Sequence, residues 1–178
     1  MGRRAALRQA MLANGPTPGV MEITRELRAA LWSRQGMALL SEGECGWMDG
    51  GCVILADALV ALLAPDALRI TFISDSGPEH CVCSFAGWWM DASGIGHPWH
   101  MRRNWEVGER VQLRATLPLS DAELSGLWRD PATSQRVADF LDERGSVVRF
   151  RQAFTAMTWP TRSVGERSGA RVELAGLA

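Results

Sequence analysis

Gly50-Gly51-Cys52-Val53-Ile54-Leu55-Ala56-Asp57-Ala58-Leu59-Val60-Ala61-Leu62-Leu63 and, further along, His80-Cys81-Val82-Cys83-Ser84-Phe85-Ala86-Gly87-Trp88-Trp89-Met90-Asp91 are the two runs whose reading decides the fold. The first is apolar, unbroken after its glycine pair and long enough for a helix rather than a strand. Cys52 falls in the first turn of that helix. Unpaired backbone N–H groups and the positive end of the helix dipole there favour thiolate over thiol. Gly50 and Gly51 leave room for a substrate to approach the sulfur.

The second run predicts a hairpin. With Ala86-Gly87 as a two-residue loop, Phe85 faces Trp88 and Val82 faces Asp91. Side chains alternate along a strand, so His80, Val82 and Asp91 share one face. His80 and Asp91 become diagonal neighbours, with Cβ atoms roughly 7 Å apart. A carboxylate so placed orients an imidazole, which can then take the proton of a thiol. A three-residue loop would reverse the parity and separate the two. Cys81 and Cys83 fall on the face opposite His80 and suit a core of small apolar side chains.

Gly51-Cys52 opening an apolar helix, a strand beginning at His80, a glycine turn, an aromatic pair and Asp91-Ala92-Ser93-Gly94 together resemble the core of small papain-like cysteine hydrolases. Transglutaminase-like and arylamine acetyltransferase-like proteins share that chain order. The resemblance covers about 45 residues and implies an α+β fold, with the cysteine-bearing helix packed on an antiparallel sheet. It also implies Cys52 as nucleophile, His80 as general base and Asp91 as orienting acid. Papain-type enzymes carry an oxyanion-stabilising glutamine shortly before the cysteine. Here Ser41-Glu42-Gly43-Glu44-Cys45-Gly46-Trp47-Met48-Asp49 offers neither glutamine nor asparagine. The Cys52 backbone N–H and the Trp47 indole are the donors that remain.

At 178 residues, 47% of them apolar, the chain suits one domain over 1–178 with a substantial core. A formal net charge of -1 announces neither nucleic acid nor an anionic membrane as partner. No run reaches the length of a membrane span and no secretory signal is evident. The expected location is the cytoplasm, or a target cell reached as a delivered effector. Every basic residue is arginine, which a GC-rich coding genome explains; avoidance of lysine modification is the sharper alternative. Four cysteines do not make a disulfide framework in a chain of this size. A strand-borne C-x-C pair is a poor zinc clamp, so neither metal nor cofactor is expected.

Around this centre, residues 1–20 suggest a mobile arm, and Glu22–Met37 predicts an amphipathic helix with Ile23, Leu27, Leu31 and Trp32 on its apolar face, packed beside the Cys52 helix and ended by Gly36. Leu68–Ser74 suits a buried strand. Helices are expected on one side of the resulting sheet. Residues 95–105, with Trp99, Trp105, His97, His100, Arg102 and Arg103, read as a loop. That loop is either a substrate lip or a connection whose tryptophans cap the core. His97 is a second, less favoured base. Arg110–Ala115 suggests a half-buried strand, and Ser120-Asp121-Ala122-Glu123 a capping box leading a helix to Trp128. Asp130-Pro131 begins a further helix with Val137, Phe140 and Leu141 inward and Gly145 at its end. Val147–Met157 suggests a strand and 161–178 a flexible tail.

Two function classes follow. The leading one is a cysteine-dependent hydrolase or acyl-transfer enzyme acting on a peptide, isopeptide or amide bond, with Trp47, Gly51 and Trp99 as substrate-binding residues. The other is a non-catalytic protein that keeps the fold as a binding surface, for example a mobile-element inhibitor of a host machine. In both, the partner is a protein or peptide.

Overall fold

A computed structural model describes residues 18–40, 46–118 and 130–145, together with Arg149, Arg151 and Gln152. In chain order it contains α1 (Pro18–Leu31), α2 (Arg34–Ala38), α3 (Gly51–Leu63), β1 (Leu68–Ser74), β2 (Gly77–Phe85), β3 (Trp88–Asp91), β4 (Gly94–Gly96), α4 (Pro98–Gly108), β5 (Ala115–Pro118) and α5 (Pro131–Glu143). The five strands form one antiparallel sheet ordered β4-β3-β2-β1-β5. The class is therefore α+β, as the sequence suggests.

The apolar run becomes α3, buried along nearly its whole length from Gly51 to Leu63. An all-round apolar helix must be covered on more than one side, and α3 lies between β2 and α5. It ends at Ala64, which is extended because Pro65 excludes the helical region for its predecessor. The neighbour of α3 is thus α5, whereas α1 packs chiefly on β4 and α2. That corrects the expected pairing of α1 with the cysteine helix.

The hairpin has the expected register, with Phe85 opposite Trp88 and Cys83 opposite Met90. Ala86 and Gly87 both have positive φ, 51° and 83°, the signature of a two-residue turn that matches strand twist. Between β1 and β2 the pairing slips: Phe72 faces His80, but Ile73 faces Pro78, leaving Glu79 as an extra residue. Such a bulge bends its strand and re-aims the side chains beside it.

Both faces of the sheet are covered, not one. Cys83, Phe85, Trp88 and Met90 join the main core with α1, α3 and α5, and Ile70, Phe72, Val82 and Trp89 pack against Met101, Leu113 and Trp105. The second covering is α4, in the segment expected to be a loop. His97 caps it, Pro98 occupies its first turn, and Met101 and Trp105 follow at helical spacing.

Other boundaries differ as well. The first helix begins earlier than expected, at Pro18, and breaks after Leu31; Ser33 then caps α2 by accepting from the Gly36 N–H at 3.0 Å. Gly36 lies within α2 instead of ending α1, because a Cβ there would stand 2.3 Å from the Ala30 carbonyl oxygen. Strand β5 begins only at Ala115, although Leu113 is buried and the Arg114 N–H already donates to Ile73. The helix from Asp130 forms as expected, with Asp130 accepting from the Thr133 N–H and Gly145 following its end at positive φ. Arg149, Arg151 and Gln152 are helical where a strand was expected. The arm up to residue 17, the 120–128 helix and the tail from 161 lie outside the described residues. Among the described residues, no helix is long and apolar enough to cross a membrane.

Candidate active site

Cys52 is set in place by the tight turn before α3. The Gly46 carbonyl accepts from both the Asp49 and Gly51 N–H groups, each at 3.0 Å, and folds the chain back just before the helix. Gly50 takes φ 81° as the helix cap, a conformation that disfavours a side chain. Gly51 has another reason to be glycine: a Cβ would lie 2.7 Å from the Gly46 oxygen. Close packing is thus a reason for glycine at this position beside its expected role in substrate binding, and its N–H is already engaged. The Cys52 N–H, one position on, has no acceptor among the described residues. Cys52 itself is 6% exposed and packs with Val53, Ala56 and Cys81.

His80 enters from β2 beside the bulge. Its Nε2 lies 2.9 Å from Asp91 Oδ2, the cross-strand pairing that a two-residue turn requires. Asp91 is held in turn by Ser93, whose N–H and hydroxyl both donate to Oδ1, at 2.8 and 2.6 Å. An ionised carboxylate only accepts, so Asp91 fixes the proton on Nε2 and leaves Nδ1 for chemistry. Trp105 stacks on the imidazole with centroids 4.0 Å apart and planes 13° apart, and Phe72 meets it edge-on at 5.5 Å. The ring has almost no rotational freedom left.

Burial alone would lower the basicity of this imidazole. The hydrogen bond to Asp91 and then the neighbouring Cys52 thiol outweigh it, lifting the His80 pKa from 6.5 to about 9. A pKa raised in this direction favours the protonated ring at neutral pH, with Asp91 as its carboxylate partner. Nδ1 has no hydrogen-bond partner of good geometry, and neither does the Trp105 indole nitrogen stacked against it. These are the two unpaired buried side-chain polar atoms among the described residues, and they occur in the same stacked pair. Buried polar atoms without partners are uncommon enough to mark a place where something else arrives.

A pocket of about 180 Å³ opens at this corner, lined by Gly50, Cys52, Val53, Thr71, Pro78, Glu79, His80 and Cys81. Its size suits one small group rather than a whole ligand, since ligand pockets typically run from about 300 Å³ upward. Cys81 shares the pocket but not the ring: burial pushes its thiol up to about 12, and burial likewise pushes Cys83 up.

Two further expected site residues lie elsewhere. Trp47 is wholly buried in the main core, and its indole N–H donates to the Leu31 carbonyl at 2.8 Å, so it is no oxyanion donor. That bond satisfies a carbonyl left over at the end of α1. Trp99 is half exposed in the first turn of α4, edge-on to His100, and lines no part of the pocket. His97 accepts from the Trp99 N–H as the cap of the same helix, and burial, then His100, lowers its pKa; it does not approach Cys52 as a base. Conversely, Phe72, Thr71 and Glu79 adjoin the site though the sequence does not mark them for it, and Trp105, expected in a loop, reaches it from a helix. The signal for Trp105 was its four-residue spacing from Met101. Among the described residues, no group of three side chains is arranged to hold a metal ion.

Comparisons of the chain with protein families, with curated proteins and with solved structures find no match.

Proposed function

We propose that the protein is a cysteine-dependent hydrolase or acyl-transfer enzyme of papain-like architecture, acting on a peptide, isopeptide or amide bond through Cys52, His80 and Asp91. The observation that carries this is His80 itself: a buried imidazole fixed by Asp91 on one nitrogen, with Cys52 acting on the ring and the other nitrogen unbonded. A purely structural histidine would be expected to satisfy both nitrogens.

In the proposed cycle the Cys52 sulfur attacks a carbonyl carbon while His80 holds the proton at Nδ1. The oxyanion takes the free Cys52 N–H as donor, in the absence of an upstream glutamine. Collapse breaks the C–N bond, and His80 passes its proton to the departing amine. Water, or a second amine, then attacks the thioester, returns a proton through His80 and frees Cys52. The partner is a protein or peptide, met in the cytoplasm or in a cell to which the protein is delivered.

A second reading has its own support. Cys52 is only 6% exposed and its pocket is small, features that suit a non-catalytic binding protein retaining the architecture. Labelling with a neutral chloroacetamide near pH 7.5, read by peptide mass spectrometry, separates the two. The enzyme requires Cys52 to react far ahead of Cys81 and Cys83 and to lose that lead in His80→Ala. Equal labelling of all four cysteines, or a Cys52 indifferent to His80, would leave the binding protein.

A further inference from the structure

We propose that Glu79 makes the pocket selective for a cation carried on an aliphatic stem, so that the preferred substrate presents a basic side chain beside the bond that Cys52 attacks. This rests on the proposed role of Cys52 and adds to it a chemical class of substrate.

Among the described residues that line the pocket, Glu79 is the one carboxylate. The bulge brings it there, because the slip between Phe72 and Ile73 leaves it as the unmatched residue directly before His80. Its side chain accepts from the Ser74 hydroxyl, which fixes the carboxylate without neutralising it. The neighbouring charges are otherwise matched: Asp75 pairs with Arg114, and His80 with Asp91. Glu79 has no cationic partner among the described residues. A fixed carboxylate with no cationic partner among the described residues, on a residue that lines the pocket, favours a cation.

The rest of the lining sets the shape of the group. Val53, Pro78 and Cys81 present apolar surface, and Thr71 has its hydroxyl directed to the Cys81 sulfur at 3.9 Å. A flexible methylene stem covers such a wall while its charged end stays near water, as lysine and arginine side chains do. An anionic side chain would meet Glu79 with like charge.

The test uses three chloroacetamide probes of equal length on the full chain: a neutral one, one ending in an aminobutyl group and one ending in a carboxybutyl group. Rates at Cys52 are divided by those of a small free thiol under the same conditions. The expected order is cation over neutral over anion, with a cationic advantage of about two- to fivefold, the range of a solvent-facing charge pair. The advantage should disappear in Glu79→Gln, reverse in Glu79→Arg, and shrink in the unaltered protein as salt is raised. No cationic preference, or one that survives both Glu79→Gln and high salt, overturns the inference. Cationic preference at a Cys52 that ignores His80→Ala would sink the catalytic role while leaving the selectivity standing. A Cys52 that none of the probes reaches would sink both.

Discussion

The tip of α3 and the middle of β2 each hold buried thiols a short distance apart, yet they offer different chemistry. Cys52, Cys81 and Cys83 are 6%, 1% and 0% exposed, so burial does not separate them. Their neighbours do. Cys83 lies in the apolar core and Cys81 beside Thr71, where loss of water is the leading influence and keeps the thiol protonated. Cys52 has beside it the His80 ring, whose pKa is raised, and its own N–H has no acceptor among the described residues. A thiol becomes a nucleophile through a charge that stabilises its anion, and under the proposed function the region at the tip of α3 is the one of the two that supplies it.

The sharpest way to break this contrast is to change Asp91. Asp91→Asn keeps the shape but presents an amide whose NH₂ can donate to Nε2, which turns the ring the wrong way for proton transfer at Nδ1. The rate of reaction at Cys52 should fall by about 10²- to 10⁴-fold, the span associated with losing an oriented acid–base group. Labelling of Cys81 and Cys83 should not change. A Cys52 rate within twofold of the unaltered protein would remove the distinction between the two regions.

Next comes pH. The folded pKa of His80 is raised from 6.5 to about 9, so the protonated ring contributes stability that is fully present below 6.5 and is lost as pH rises through about 9. The midpoint of urea unfolding should decline across that window by more than in His80→Gln, which has no such proton. The Cys52 labelling rate, corrected for the rise in free-thiol reactivity, should turn down above pH 9 as its counter-charge disappears. A stability profile identical to that of His80→Gln between 6.5 and 9 would show that the ring is not held protonated.

The third is steric and tests the support of the α3 tip. Gly51→Ala places a methyl 2.7 Å from the Gly46 oxygen, a backbone atom that cannot swing aside. A cost of about 2 kcal/mol is expected from overpacking, together with slower Cys52 labelling as the helix tip shifts. Chemical denaturation and the probe rate read the two effects separately. Gly46→Ala, which meets nothing within 4 Å, is the control.

The parts of the site that could be read from sequence are those fixed by local periodicity. Ala86-Gly87 sets the hairpin register, the register sets the shared face, and the face brings His80 to Asp91. Cys52 at the start of an apolar helix follows from the same kind of pattern. What escaped depends on distant backbone. Nothing near Trp47 says that the Leu31 carbonyl, sixteen residues earlier, would need its indole N–H. Trp105 was hidden because Gly96, Pro98 and two histidines look like a loop, although Pro98 was opening a helix that lays Trp105 on His80. The bulge that presents Glu79 arises from a slip between two strands and leaves no mark on either alone.

The smallest effect expected lies at the turn on which the shared face depends. Ala86 adopts φ 51°, a left-handed conformation that costs a residue with a Cβ roughly 1–2 kcal/mol, while the following Gly87 takes φ 83° freely. Asparagine tolerates this region better and precedes glycine in the favoured two-residue turn. Ala86→Asn should therefore raise stability by about 0.5–1 kcal/mol while leaving Cys52 labelling unchanged, since the register it reinforces is already formed. Thermal and urea unfolding measure the first and the neutral probe the second. A gain in stability accompanied by a changed labelling rate would mean that the hairpin samples a second register, in which His80 and Asp91 part. Cys52 would then be sensitive to a turn on a neighbouring strand pair, and the contrast between α3 and β2 would depend on the hairpin register as well as on fixed neighbours.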